Sequence, residues 1–356
     1  MNAPASTSGP ALGYAAALYT DVAALLDYGE LVAPAPTICT RQDGVALFYE
    51  GQVNLIFGEP ESGKTWLAHC AAVETMIKGG SVLIIDLDHN GPTATVSRLM
   101  ALGAPASLLR NPYRFRYTEP DDQTQLLQII VDAGQWQPTV AVVDSMGELM
   151  PLFGANSNSA DDFTRVHSAV LKPLAKAGSA VLVVDHLAKN PVSNALGSTG
   201  TAAKKRAIGG ISLRVTIAEA FTPGKGGKAH VTINKDRMGG LRAKSPSGDK
   251  EPLAATFTLS ETDGDLNWAL YPAKDGERLA LVIVPVTDAE LLTLRTLDPP
   301  PQSVAEVRTR VGWGTDKAAR VLRQWRTEGS ISAPVLAIPA SLDSDVQVQG
   351  TEADHE

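Results

Sequence analysis

The residues Gly58-Glu59-Pro60-Glu61-Ser62-Gly63-Lys64-Thr65 satisfy the pattern G-x-x-x-x-G-K-[ST] at every fixed position. Each position has a chemical reason. Glycine lets backbone amides turn inward around a phosphate with no Cβ in the way. Lys64 would neutralise β- and γ-phosphate oxygens, and the Thr65 hydroxyl would ligate Mg²⁺. A helix opening at Lys64 would aim the positive end of its dipole at the same phosphates. Glu59 and Glu61 bring negative charge beside that site, so both are expected to face outward. The ligands this loop predicts are ATP and Mg²⁺.

Carboxylates are expected at two strand ends. Thr139-Val-Ala-Val-Val-Asp144-Ser145 is an apolar run closing on an acid, and Asp144 would hold Mg²⁺ through its water shell. No Glu follows Asp144, so an attacking water needs another base. Asp86-Leu87-Asp88 supplies one, because the C-terminal ends of parallel strands open on one edge of a sheet. Asp88 is the choice for orienting or deprotonating the water, with Asp86 expected to face the other side by alternation unless a turn at the strand end reverses it. The competing reading makes Asp88 a turn or N-cap aspartate ahead of Gly91-Pro92. A third run, Val181–Asp185, leads to His186, which could sense a γ-phosphate or simply end a strand.

Other elements must position these groups. Val53–Phe57, Val82–Asp86, Val140–Asp144 and Val181–Asp185 are short, rich in β-branched residues and apolar on both faces, the pattern of buried parallel strands. Helices are predicted between them at Lys64–Lys78, Thr93–Leu102, Gln123–Gly134 and Ala160–Ala177, giving βαβ units around a parallel sheet. Beyond Ile211 the runs Ile211–Phe221, His230–Asn234, Ala255–Leu259 and Asn267–Tyr271 read as antiparallel strands joined by Gly-rich turns such as Pro223–Gly227. A short helix is expected near Tyr14–Tyr28. Asp288–Leu297, Val304–Val311 and Asp316–Glu328 read as three helices of a helix-turn-helix, winged if Ile331–Ala337 forms the wing. The expected domains are an N-terminal segment 1–30, partly disordered, an ATPase-type α/β core 31–275, the helix-turn-helix 286–338 and an acidic tail 339–356.

Bulk properties narrow the class. The chain has 356 residues, 44% hydrophobic and 20% charged, with a formal net charge of -8. That negative average repels phosphate, so contact with DNA must come from local basic patches. Its two cysteines, Cys39 and Cys70, make no disulfide framework and no metal cluster, and suit packing thiols in a reducing cytosol. The first residues lack a basic flank of the signal-peptide kind, and no apolar run nears the roughly 20 residues that span a bilayer. The expectation is a cytoplasmic protein with no membrane contact.

Together these motifs resemble the RecA-like P-loop ATPases, specifically the RepA-type replicative helicases and related AAA-family ATPases of bacteria and phages. The resemblance runs from about Leu31 to Pro272. It rests on Gly58–Thr65, Asp86-Leu87-Asp88, Asp144-Ser145 and Asp185-His186. It implies a RecA-like core with a mostly parallel sheet and C-terminal antiparallel strands. In that family the acid two residues beyond the first Asp is a catalytic Glu, whereas here it is Asp88, one methylene shorter. Asn234-Lys235-Asp236-Arg237-Met238-Gly239 looks like the K-x-R element of ring helicases, whose cations reach a neighbouring subunit's γ-phosphate. The competing reading of that stretch is a solvated basic hairpin.

The resemblance also implies two DNA-facing loops, here Met150–Asp161 and Ala188–Ile208. The second is rich in Gly, Ser and Thr and ends in Lys204-Lys205-Arg206, a cluster suited to a phosphate backbone. Arg206 could instead be a second trans-acting arginine. On the last helix, Lys317, Arg320 and Arg323 would face DNA, while Trp313 and Trp325 suit the core of that small domain. The expected partners are single- or double-stranded DNA and further copies of this chain, in a hexameric ring or a filament. The leading expectation is a DNA-dependent ATPase of replication or recombination, a ring-forming helicase motor. A filament-forming recombinase and an ATP-controlled DNA-binding switch with little turnover are the alternatives.

Overall fold

The computed structural model describes residues 22–27, 33–187, 202–262, 265–274 and 286–331. The chain divides into two units, Met1–Leu281 and Val282–Glu356. Unit 1 is a mixed α/β structure built on a nine-stranded sheet. Its strands are β3 (Val53–Gly58), β4 (Val82–Asp86), β5 (Phe115–Thr118), β6 (Val140–Asp144), β7 (Ala180–His186), β8 (Ile211–Thr222), β9 (Gly226–Asp236), β10 (Leu253–Thr262) and β11 (Asp265–Pro272). They lie in the order β11-β10-β9-β8-β3-β7-β6-β4-β5. From β8 to β5 every pairing is parallel, and from β8 to β11 every pairing is antiparallel. A separate antiparallel pair, β1 (Ile38–Thr40) and β2 (Ala46–Phe48), precedes the sheet.

Alternation divides the core into two layers. Ile56, Val82, Ile84, Val140, Val142 and Leu182 meet α2 (Lys64–Ile77) and α3 (Pro92–Ala101) on one face. Leu55, Leu83, Ile85, Ala141, Val143 and Val183 meet the other face's helices, α5 (Gln123–Trp136), α6 (Met146–Leu152), α7 (Ala160–Val166) and α8 (Lys172–Lys176). The inner parallel strands β3, β4, β6 and β7 are largely apolar because both faces are covered. Between α7 and α8 the helix widens to π spacing over His167–Leu171, where Pro173 has no amide hydrogen to give the preceding turn. A short helix, α4 (Ala106–Leu109), leads into β5.

Several expectations change here. Of Met150–Asp161, residues 153–159 form a loop, while Met150–Leu152 closes α6 and Ala160–Asp161 opens α7. Of Ala188–Ile208, residues 188–201 lie outside the described residues, while Ala202–Ala207 forms a helix, α9. Of the helix expected near Tyr14–Tyr28, α1 (Val22–Asp27) is helical, and the remainder lies outside the described residues, as do residues 1–12 and the acidic tail.

Unit 2 contains α10 (Asp288–Arg295), α11 (Val304–Val311) and α12 (Thr315–Ile331). Thr287 opens α10 with a reciprocal capping box to Glu290. Leu291, Leu294, Val307, Ala318, Val321 and Leu322 form its core, with Trp313 and Trp325 packed against it. Ile331 belongs to α12, and the rest of the expected wing lies outside the described residues. Among the described residues no helix is long and apolar enough to cross a membrane.

Candidate functional site

The parallel strands put their C-terminal ends on one edge of the sheet. At that edge β3 has β7 and β8 as neighbours, while the next strand in the chain, β4, lies beyond β6. Such a switch in winding direction opens a crevice outside the strand ends. A cleft of about 360 Å³ lies there, lined by residues 61–65 together with Asp88, Asn90, Asp144 and His186.

The loop between β3 and α2 is built for close backbone approach. A Cβ on Gly58 would stand 2.2 Å from the Val215 carbonyl oxygen and 2.8 Å from Ser62 Oγ. Gly63, at the N-cap of α2, has φ +89, and a Cβ there would meet the Phe221 ring at 2.6 Å. Glu59, Pro60 and Glu61 are exposed, while Ser62, Gly63 and Lys64 are buried. The first-turn amides of α2 have no intrahelical acceptor, and they point with the helix dipole into the cleft. The Ser62 hydroxyl is buried and without a hydrogen-bond partner, an orphan polar group that an anion seated in the loop would satisfy. The Lys64 ammonium donates to the Glu59 carbonyl at 2.5 Å, and burial lowers its pKa against the pull of Asp144, Asp185 and Asp88.

Across the cleft, Thr65 Oγ1 donates to Asp144 Oδ2 at 2.8 Å. Burial pushes the Asp144 carboxyl up to about 7; the Thr65 hydrogen bond and Lys64 oppose this, while Asp88 and Asp86 add to it. A cation beside Asp144 would remove that disadvantage of the charged form. Among the described residues no group of three or more His, Cys, Asp or Glu could hold a metal. That donor set fits Mg²⁺, which keeps waters and shares phosphate oxygens with one or two protein ligands. The loop, Thr65 and Asp144 therefore fit a magnesium-bound polyphosphate.

Asp88 and Asp144 come together at this edge. The amides of Leu87 and Asp88 both donate to the Asp144 carbonyl, at 2.5 and 3.1 Å. Asp86 corrects the sequence reading: it lies on the same face as Asp144, because residues in register on adjacent strands project to the same side of a sheet. Buried Asp86 accepts hydrogen bonds from Tyr117 Oη and from Asn90, and so holds the turn that carries Asp88. His186 follows Asp185 at the end of β7, in register with Gly58, and Leu187 N donates to the Gly58 carbonyl at 3.1 Å. Trp66, Arg98 and Phe221 also line the cleft; sequence reading assigned them nothing, since no motif marks them.

The basic residues divide. Lys204 is not a surface cation: its ammonium lies 2.7 Å from Asp185 Oδ2, and its side chain is 3% exposed. A buried ion pair at the C-terminal end of β7 takes it away from any DNA backbone. Lys205 is half-buried and Arg206 exposed, with Lys250, Arg214 and Arg242 adding positive charge around Lys205. Lys235 donates to the carbonyls of Lys205 at 2.6 Å and Ile208 at 2.7 Å, so it caps the C-terminal end of α9 within its own chain. Burial, with Arg237 and Lys205 nearby, pushes its pKa down to about 8. This corrects Lys235 as a cation extended towards a neighbouring subunit. Arg237 is exposed and donates to the Arg206 carbonyl at 2.9 Å. In unit 2, Lys317 pairs with Glu290 at 2.8 Å and Arg320 approaches the same oxygen at 3.6 Å, while Arg323 is exposed.

Set against models of known protein families and against curated proteins, the chain matches none.

Proposed function

We propose that this cleft binds ATP with Mg²⁺ and that the chain is a cytoplasmic, DNA-dependent ATP hydrolase with a RecA-like P-loop core. The observation that carries this reading is the Gly58–Thr65 loop, joined to a strand-end carboxylate by the 2.8 Å Thr65–Asp144 hydrogen bond. Its glycines are sterically required, and it follows the middle strand of the mixed nine-stranded sheet, at the C-terminal edge of the parallel strands, where phosphate chemistry needs it.

In this reading the loop amides and Lys64 hold the β- and γ-phosphates. Thr65 and Asp144 would hold Mg²⁺, which would supply neutralising charge to the phosphates. Asp88 takes the proton from a water whose oxygen bonds to the γ-phosphorus. The bond from that phosphorus to the β–γ bridging oxygen breaks, and ADP leaves with the electron pair. Arg237 of a neighbouring copy supplies a further cation to the transition state, which makes turnover depend on assembly into a ring or filament. His186, at the end of the strand between β3 and β6, would sense the γ-phosphate. Lys205 and Arg206 offer an electrostatic surface to DNA, and unit 2 serves as a helix-turn-helix module, with Arg323 among its exposed cations. The motif order supports the resemblance to RepA-type helicases.

A second reading, an ATP-controlled DNA-binding switch with little turnover, is favoured by the short reach of Asp88. Turnover with and without single-stranded DNA separates the two: strong stimulation supports the motor, none supports the switch. The binding claim itself is tested by titrating a fluorescent ATP analogue with and without Mg²⁺, using Lys64→Ala as control. No magnesium-dependent affinity, or equal affinity in Lys64→Ala, would remove the site.

A further inference from the structure

Ser145 stands at the N-cap of α6 with extended backbone angles, φ -128 and ψ 170. A serine there ordinarily accepts a hydrogen bond from an amide of the first helical turn. This one makes no such cap. Its hydroxyl instead donates to Asp88 Oδ1 at 2.7 Å, although Asp88 lies on another strand's exit. The side chain is enclosed: Ser145 is 1% exposed, and a Cβ placed on Gly147 would stand 3.3 Å from its Oγ. Asp88 is exposed and lines the cleft.

We infer that Ser145 is a positioning residue: its hydroxyl fixes one oxygen of the Asp88 carboxylate and leaves the other for the reacting water. This rests on the reading of Asp88 as the proton acceptor. Three contacts then define where that carboxylate sits. The Leu87 and Asp88 amides bond to the Asp144 carbonyl, which fixes the backbone, and the Ser145 hydroxyl fixes the rotation of the side chain. An aspartate has one methylene fewer than a glutamate, so it gives less reach and less freedom to search. An error of about 1 Å in such a group is enough to lower a rate a hundredfold. Because Ser145 directly follows Asp144, one strand end places the magnesium-side carboxylate and orients the proton acceptor.

The test is steady-state ATP turnover of the full chain with Mg²⁺ and single-stranded DNA, in Ser145→Ala, Asp88→Asn and the double variant. Ser145→Ala removes no helix cap, so α6 should persist, and its thermal midpoint and affinity for a fluorescent ATP analogue should match those of the unaltered chain. The expected result is a kcat lower by about tenfold with KM unchanged, and no further loss when Ser145→Ala is added to Asp88→Asn. Normal kcat in Ser145→Ala alongside lost turnover in Asp88→Asn would overturn the positioning role alone. A tenfold loss that persists on the Asp88→Asn background would also overturn it, since the serine would then act through something else. Normal turnover in Asp88→Asn would overturn the role of Asp88 and this inference with it, while leaving nucleotide binding untouched.

Discussion

Lys204 Nζ lies 2.7 Å from Asp185 Oδ2, and the two side chains are 3% and 2% exposed. One end of this pair is the C-terminal end of the strand that carries His186, and the other is α9, where the carbonyls of Lys205, Arg206 and Ile208 receive Lys235 and Arg237. The pair therefore ties the cleft edge to the segment that presents Arg237. Removing one member of a buried pair leaves an uncompensated charge, which costs about 3–5 kcal/mol. Lys204→Met should lose stability of that size in urea unfolding, and Asp185→Leu/Lys204→Met should recover most of it. A loss below about 1 kcal/mol in the single variant would show that the pair is solvated.

Gly58→Ala and Gly134→Ala should move stability in opposite directions. The methyl at position 58 would meet the Val215 carbonyl at 2.2 Å, and that backbone is fixed by the β3–β8 pairing of Gly58 with Val215. Overpacking of this kind costs about 1–3 kcal/mol, and nucleotide affinity should fall with it. Gly134 sits within α5 with nothing within 4 Å of an added Cβ, so alanine there should stabilise by about 0.5–1 kcal/mol. Thermal melts of both variants check the pair, and equal shifts would contradict the geometry at Gly58.

His69, on α2, is buried with no partner for Nδ1 among the described residues. Burial, with the Arg98 charge adding, pushes its pKa down to about 4. The unfolded chain takes up that proton near pH 6.5. Between those values the unfolded state binds more protons, so stability rises with pH and is lost on acidification. His69→Leu should remove a loss of about 2 kcal/mol between pH 7 and pH 5. Urea midpoints of both proteins at the two pH values test this; parallel losses would mean that His69 is not the titrating group.

Arg237→Ala and Asp88→Asn subunits should each turn over ATP poorly alone. Mixed, they should regain part of the rate, because a mixed interface can join an intact Asp88 site to an intact Arg237. No recovery at any ratio counts against a trans cation at Arg237.

Much of the sheet was legible because apolar runs bounded by turns are local. Val82–Asp86 and Val140–Asp144 are strands with the expected bounds. Phe115–Thr118 escaped notice because Arg116 interrupts a short edge strand, and β1 and β2 have only three residues each. The loop was legible for the same reason: its chemistry is contiguous. The partners of its neighbours were not. Lys204 sits in a basic run that reads as surface, and the carboxylate that buries it comes from another element. Ser145 and Asp88 meet only because β4 and β6 are adjacent in the sheet. Asp86 shares the face of Asp144 through a pairing between strands, which alternation along a single strand does not reveal.

The strand order also bears on how the protein reaches its native state. The loop belongs to β3, near the start of unit 1, yet the strands that flank β3 are made much later: Val53 pairs with Val181, and Gly58 with Val215. Such distant pairings carry a large loop-closure entropy and slow folding. A nascent chain emerging from the ribosome would hold the complete Gly58–Thr65 motif long before β7 and β8 exist to hem it in. Competence to bind nucleotide should thus arrive as a late, abrupt event in refolding.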